Sequence, residues 1–83
     1  MDGDTQQAIA AAEAEMAAFA AEKAAVEERI RELRAREDFK NGVYFPKEIF
    51  EAQQDKLRLE TEMLFRQNTI KRLRLGLHLD LDG

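Results

Sequence analysis

The chain has 83 residues, a formal net charge of −4, one histidine, and neither cysteine nor serine. A chain of this length forms one small domain. The composition excludes disulfides, thiolate metal sites and nucleophilic catalysis by serine or cysteine. An acidic chain is also a poor general binder of nucleic acid. We therefore expect a protein that is not an enzyme and that holds neither a cofactor nor a metal.

No stretch of the sequence approaches the roughly 18 apolar residues that a membrane span needs. The first four residues lack the basic start of a secretory signal, and Glu13, Glu15 and Glu22 interrupt the alanine-rich run behind them. We expect a cytoplasmic protein that makes no membrane contact.

The first predicted helix runs from about residue 5 to about residue 40. Asp4 is its predicted N-cap, and Gln7 stands three residues further on, as a capping box requires. Lys23 and Glu37 are polar at seam positions that favour apolar residues, so Lys23 either reaches the seam edge or fixes the register. The seam positions alternate in spacing between 3 and 4, which is the pattern of a coiled coil: Ile9, Ala12, Met16, Phe19, Lys23, Val26, Ile30, Leu33 and Glu37.

A strip of small residues occupies a second face of this helix. It reflects either the high helix propensity of alanine or a surface for the close approach of another helix. Its members are Ala10, Ala11, Ala14, Ala17, Ala18, Ala21, Ala24 and Ala25.

The predicted turn spans residues 41–45. Asn41 and Gly42 form a strong chain-reversal signal, and Gly42 suits the left-handed conformation that ends a helix. A short hairpin from Phe39 to Tyr44 is an alternative local structure. Pro46 then suits the first turn of a second helix. Four apolar residues either close this end of the molecule or form an exposed recognition tip: Phe39, Val43, Tyr44 and Phe45.

The second predicted helix runs from residue 46 to about residue 75, with Gly76 as its stop. It carries a second apolar row at seven-residue intervals, Phe50, Leu57 and Leu64, and Phe65 lies away from both rows. A helix with two apolar rows contacts two neighbours, and the first helix can cover only one row. The seam again alternates between spacings of 3 and 4: Ile49, Ala52, Lys56, Leu59, Met63, Arg66, Ile70 and Leu73.

Charge predicts the relative direction of the helices. In each helix the first half is mainly acidic and the second half mainly basic, so antiparallel packing places unlike charges together. Facing residue numbers then sum to about 86. In this register Ile9 meets Leu77, Met16 meets Ile70, and Lys23 falls near Glu60.

The sequence therefore predicts an all-α fold, a single domain over residues 1–83 that forms an antiparallel two-helix coiled-coil hairpin. Two helices only half cover each other, and ordering the backbone costs roughly 1–2 kcal/mol per residue. A lone hairpin is therefore marginal, and we expect a homodimer that forms a four-helix bundle. In architecture alone, such a hairpin resembles the small dimeric helical hairpins of plasmid and phage regulators and coiled-coil chaperone subunits.

The tail, residues 76–83, is expected to be short and extended, because leucines alternate strictly with other residues. It is a frayed end, a strand that pairs with another strand, or an extension across the bundle. His78, Asp80 and Asp82 fall on the side opposite the leucines, where exposure explains them without a metal.

The leading functional hypothesis is a protein–protein interaction module, a dimer that acts as an adaptor, inhibitor or anti-activator of an unidentified protein. The first alternative is a structural subunit of a larger assembly, such as a phage or scaffold component. The second is an RNA- or DNA-binding regulator that uses Arg29, Arg31, Arg34 and Arg36, although hairpin pairing neutralises part of that charge. The candidate dimer or partner interface comprises Tyr44, Phe45, Phe50, Leu57, Leu64, Phe65, Leu77, Leu79 and Leu81.

Overall fold

Two long helices and a short connection make up the computed structural model, which describes residues 2–76. Helix α1 spans Gly3–Arg36, a 3₁₀ turn spans Phe39–Asn41, and helix α2 spans Pro46–Leu75. The helices pack against each other as an antiparallel hairpin, which confirms the predicted fold. The Cα atoms extend over 63 × 23 × 12 Å. Because α1 and α2 lie side by side and are the only two α-helices among residues 2–76, the molecule is a flat layer one helix thick.

Helix α1 begins two residues earlier than the sequence predicts. Its N-cap is Asp2 and not Asp4, and the Asp2 carboxylate accepts a hydrogen bond of 2.6 Å from the backbone N–H of Thr5. This bond stabilises the charged carboxylate, so it lowers the pKa of Asp2 below its ordinary value. The exposed backbone N–H groups at a helix start donate to any suitably placed oxygen, and the Asp2 carboxylate is positioned to accept.

Helix α1 also ends earlier than predicted, at Arg36, because the next residues form a small structure of their own. Glu37 adopts an extended backbone, and the Asp38 side chain accepts from the backbone N–H of Asn41. Asp38 and Val43 exchange two backbone hydrogen bonds of 2.8 Å, which form a single antiparallel bridge one residue earlier at each end than the hairpin considered from Phe39 to Tyr44. Gly42 is left-handed as predicted, at φ 74°, but it closes this turn and not helix α1.

The seam between the helices is the core. Every seam position predicted in α1 and α2 is buried or half-buried. Met16 and Leu73 pack against a buried cluster of Ile9, Ala12 and Ile70, which confirms the register that pairs Met16 with Ile70. The predicted contact between Ile9 and Leu77 lies outside the described residues. The fully buried seam residues are Ile9, Ala12, Leu33, Ala52, Leu59 and Ile70.

Ion pairs cross the seam in the antiparallel register. Each such surface pair contributes at most about 1 kcal/mol, but all of them require the same helix orientation. The predicted approach of Lys23 to Glu60 is confirmed, and the half-buried Lys23 side chain reaches the edge of the seam. The pairs are Lys23–Glu60 at 3.2 Å, Lys56–Glu27 at 3.6 Å, Arg66–Glu15 at 3.3 Å and Arg74–Glu13 at 3.2 Å.

Glu37, the second polar seam residue, has a structural role at the turn. Its carboxylate accepts a hydrogen bond of 3.0 Å from the backbone N–H of Phe45, the residue that precedes α2. Pro46 then occupies the first turn of α2, as predicted. At the other end α2 stops at Leu75, also as predicted, and residues 77–83 of the tail lie outside the described part of the chain.

Candidate functional site

Five large apolar side chains on α2 are exposed to solvent, each to more than half of its surface. We call this set the outer strip; it comprises Phe50 at 61%, Leu57 at 57%, Leu64 at 52%, Phe65 at 56% and Leu75 at 64%.

The outer strip lies on the side of α2 that faces away from α1. Successive residues of an α-helix are about 100° apart, which places Phe50, Leu57, Leu64 and Leu75 within about 40° of one another. The same geometry places the buried Leu59 and Ile70 roughly opposite them. From residue 50 to residue 75 the strip is about 38 Å long, at about 1.5 Å per residue. Helix α1 covers only the inner seam, so the strip has no cover in the hairpin.

Neutral polar residues separate the apolar side chains of the outer strip. The hydroxyl of Thr61 donates to the carbonyl oxygen of Leu57 at 3.0 Å, and the Thr69 hydroxyl makes the equivalent bond to Phe65. Such bonds to the preceding turn satisfy these hydroxyls locally. The strip therefore offers an apolar surface with few unmet polar groups.

An open groove of about 600 Å³ lies at the C-terminal end of the strip. Its walls combine two large apolar side chains with two cationic ones, so it can hold an apolar group and a nearby anion at the same time. It is lined by Phe65, Asn68, Thr69, Lys71, Arg72 and Leu75.

The aromatic residues of the turn form a second exposed feature. Phe39 is 67% exposed and Tyr44 52% exposed, and their ring centroids are 5.2 Å apart. Of the two alternatives for this cluster, closure of the hairpin end is wrong for Phe39, Val43 and Tyr44, because all three are exposed. Only Phe45 is half-buried, with the guanidinium of Arg36 5.1 Å from its ring centre.

The structure brings together only part of the candidate interface. Phe50, Leu57, Leu64 and Phe65 share the outer face of α2, whereas Tyr44 and Phe45 lie at the turn. The candidate residues of the tail, Leu77, Leu79 and Leu81, lie outside the described residues. Leu75 was not among the predicted interface residues, although it lies eleven residues, or about three helical turns, beyond Leu64.

Residues 2–76 show few features of a catalytic or metal-binding site. Between residues 2 and 76 there is no group of three or more carboxylate, histidine or thiol side chains that could hold a metal. No helix in that range is long and apolar enough to cross a membrane. The pKa of Arg31 is raised by its hydrogen bond to Glu28, one turn earlier on the exposed surface of α1.

Comparison with known proteins finds no matching family model, no matching curated protein and no matching solved structure.

Proposed function

We propose that this chain is a non-enzymatic protein–protein interaction module that binds another protein through the outer strip of α2 and thereby modulates it. The supporting observation is the strip itself, five large apolar side chains exposed along one face of one helix. Scattered exposed apolar residues are ordinary, but five large ones along one helix, four of them on one face, favour an interaction site.

The shape of the hairpin adds to this proposal. The layer is one helix thick, so no further element among residues 2–76 packs over α2 from outside. Phe50, Leu57 and Leu64 repeat every seven residues, which is the spacing that lets one helix pack lengthwise against another. A partner that covers the strip would remove this apolar surface from water at a gain of about 25 cal/mol per Å².

Self-association is a separate prediction, and the geometry restricts its form. In a square four-helix bundle, each helix presents two apolar faces roughly 90° apart. In α2 the outer strip lies roughly opposite the seam. A homodimer that used the strip would therefore place the two α2 helices face to face and all four helices in one row.

A structural subunit of a larger assembly is the second candidate function, and one observation favours it. The alanine strip of α1 also faces away from the seam, so the flat hairpin has a small-residue outer face on one side and a large-residue outer face on the other. Ala14 and Ala21 of that strip are exposed. If the α2 face of one copy packed on the α1 face of the next, the contact would repeat without closing and would generate open-ended polymers.

Site-specific crosslinking of the full-length chain tests the leading proposal. A photoreactive residue is placed at position 61, inside the strip, and the tagged chain is crosslinked in cells of its source organism. A doubly substituted chain, Leu57→Asp with Leu64→Asp, is compared with a matched control, Ala20→Asp with Ala35→Asp, which adds the same charge to exposed positions of α1 outside the alanine strip.

The proposal predicts one or more defined crosslinked proteins for the unsubstituted chain and the control, and their loss with the α2 substitutions. Equal recovery from both doubly substituted chains, or no crosslinked protein at all, contradicts it. Light scattering on the purified chain tests the second candidate, because a structural subunit would form polymers whose mass grows with concentration.

A further inference from the structure

We propose that the partner segment bound by the outer strip is an amphipathic helix whose apolar face is flanked by Asp and Glu. This inference rests on the proposed protein-binding function and adds the chemistry of the partner. It follows from the charges beside the strip, from the way α2 already binds α1, and from the length of the strip.

Cations surround the outer strip. Lys47, Arg58, Lys71 and Arg72 lie within about a quarter turn of its centre line, by the 100° spacing of helical residues. One carboxylate of α2, that of Glu60, lies within the same angular range, and Lys23 of α1 binds it at 3.2 Å. The whole chain has a net charge of −4. The positive charge of this face is therefore a local feature that does not follow from the overall composition.

The remaining carboxylates of α2 lie further round the helix, towards the seam. Glu48 and Glu62 are half-buried there, and Glu51 and Asp55 lie more than a quarter turn from the centre of the strip. An incoming anion therefore meets basic side chains first. Electrostatic complementarity of this kind selects partners and accelerates their association.

The cations beside the strip are only weakly engaged within the described residues. Lys47 lies 4.0 Å from Glu51, and Arg58 lies 4.0 Å from Asp55, both at the outer limit of an ion pair. Arg72 contacts the hydroxyl of Thr69 at 3.5 Å. The inner cations of α2 that cross the seam bind their carboxylates more closely, at 3.2–3.6 Å.

The inner face of α2 shows what such a surface binds. It holds α1 through a row of apolar side chains, and Lys56, Arg66 and Arg74 bind Glu27, Glu15 and Glu13 of α1 at its edges. The outer face repeats this chemistry, an apolar row with cations at its edges, and no helix among residues 2–76 covers it. A helix with an apolar stripe flanked by carboxylates therefore fits the outer face in the way that α1 fits the inner face.

The dimensions of the strip also fit a helix. A straight strip about 38 Å long accommodates roughly 25 helical residues at 1.5 Å each, with apolar anchors at the i, i+3, i+4 and i+7 positions typical of helix-in-groove binding. The open groove between Phe65 and Leu75 offers one anchor position, with Lys71 and Arg72 on its walls.

A second copy of the same face is a poorer occupant. Two outer strips face to face would bring Lys47, Arg58, Lys71 and Arg72 of one copy close to the same cations of the other, and like charges at short range oppose association. An anionic membrane surface also has the required charge, but a membrane takes up basic and apolar side chains without requiring a helical register. The experiments that follow distinguish the proposed helix from a second copy of the chain and from a membrane.

A peptide-display selection against the purified full-length chain tests the inference. The probe is a library of 21-residue helical peptides with fixed leucines at i, i+3, i+7, i+10, i+14 and i+17 and randomised residues at the flanking positions. The library is depleted first against the Leu57→Asp, Leu64→Asp chain. We expect Asp and Glu to be enriched at the flanks of the peptides that remain bound.

Fluorescence anisotropy with one selected acidic peptide then measures the role of charge. Arg72→Glu is expected to weaken binding about fivefold at low salt, because an exposed ion pair, which contributes little, is replaced by a repulsion between like charges. The matched control Lys40→Glu changes the net charge equally, at the turn, and is expected to leave the affinity unchanged. The difference between the two is expected to shrink at 1 M salt, since salt screens exposed charges.

The inference is overturned if selected peptides carry neutral or basic flanks, or if Lys40→Glu weakens binding as much as Arg72→Glu. It is also overturned if the chain binds vesicles of phosphatidylcholine and phosphatidylglycerol (3:1) and loses that binding with Leu57→Asp. Neutral or basic flanks would still leave the proposed protein-binding function in place. If no peptide is retained and the Leu57→Asp, Leu64→Asp chain also keeps its cellular crosslinks, both proposals fail.

Discussion

Helix α2 has two apolar rows, and they differ in what covers them. Leu59 on the inner row is 1% exposed, whereas Leu57, two residues earlier, is 57% exposed. Both are leucines in regular helix, so propensity and hydrophobicity do not separate them. Their difference comes from topology, because α1 folds back against one side of α2 only. An apolar row that no other helix covers adds little to the stability of the hairpin. Its exposed residues therefore favour the proposed binding role.

The two faces also differ in how their charges are used. Cations at the edge of the seam, such as Arg66, bind carboxylates of α1 and lie close to apolar rings; the Arg66 guanidinium is 5.1 Å from the centre of the Phe19 ring. Cations beside the outer strip, such as Arg72, have no comparable contact among residues 2–76. The inner face is thus a completed interface, whereas the outer face also combines apolar side chains with cations but is not covered by another element among residues 2–76.

The largest difference between the two rows is expected from truncating their leucines. Leu59→Ala removes a fully buried side chain, so we expect a loss of about 2–5 kcal/mol in the free energy of unfolding. Leu57→Ala removes an exposed one and is expected to change that free energy by less than about 0.5 kcal/mol. Urea unfolding followed by circular dichroism measures both. Similar losses for the two substitutions would show that the outer strip is covered in the purified protein.

A smaller effect is expected at the turn, where the seam ends in a polar residue. Glu37→Ala removes the acceptor for the backbone N–H of Phe45, and a hydrogen bond to a charged group contributes roughly 1–2 kcal/mol when partly exposed. Glu32→Ala, at an exposed position near the end of α1, is the control and should cost much less. Thermal unfolding compares the two. If both substitutions lowered the midpoint equally, Glu37 would have no special role at the turn.

A charge swap at the edge of the seam is expected to have a still smaller effect. Lys23→Glu places a carboxylate beside Glu60 and should cost about 0.2–1 kcal/mol, because the pair is partly exposed. Adding Glu60→Lys restores an ion pair and should recover most of that loss. A double-mutant cycle at low salt measures the coupling. Zero coupling would mean that the pair does not hold the register in solution.

The smallest effect is expected outside both faces, at the N-cap. Hydrogen bonding to Thr5 lowers the pKa of Asp2 in the folded chain, so its stabilising effect is present above the unfolded pKa and is lost as the pH falls through the lower folded pKa. Asp2→Asn retains a capping side chain but cannot titrate.

Circular dichroism from about pH 5 down to about pH 2 compares the helix content of the two chains, since an ordinary Asp titrates near pH 3.9. Their difference should be constant at the upper end and change only below about pH 4. A difference that stays constant over the whole range would show that the Asp2 cap does not form.

The seam was predictable because its signal is redundant. Seam residues recur at spacings of 3 and 4 in both helices, and the acidic and basic halves of the helices favour the same register. The buried positions of Leu33, Leu59 and Ile70 therefore followed from the sequence. The helix ends were less predictable, because several polar residues could cap them. Asp2 and Asp4 compete at the start of α1, and the local pairing of Asp38 with Val43 competes with one more turn of helix at its end.

The candidate site was only partly predictable. The row of Phe50, Leu57 and Leu64 is visible as a seven-residue repeat, but its position opposite the seam depends on which face of α2 meets α1. The exposure of Tyr44 could not be predicted, because it depends on how the chain turns between the helices. The four clustered apolar residues did not specify the conformation of that turn. The sequence did not show that Leu75 belongs to the outer strip, because Leu75 fits both the helical repeat and the alternation of leucines that continues into the tail.

Solvent paramagnetic relaxation of the leucine methyl groups tests the central claim, that α1 covers one apolar row of α2 and leaves the other bare. The measurement uses the unsubstituted chain, with a soluble gadolinium probe and leucine methyl labelling. We predict strong relaxation enhancement at Leu57 and Leu64 and weak enhancement at Leu59. Equal protection of Leu57 and Leu59 would contradict the claim.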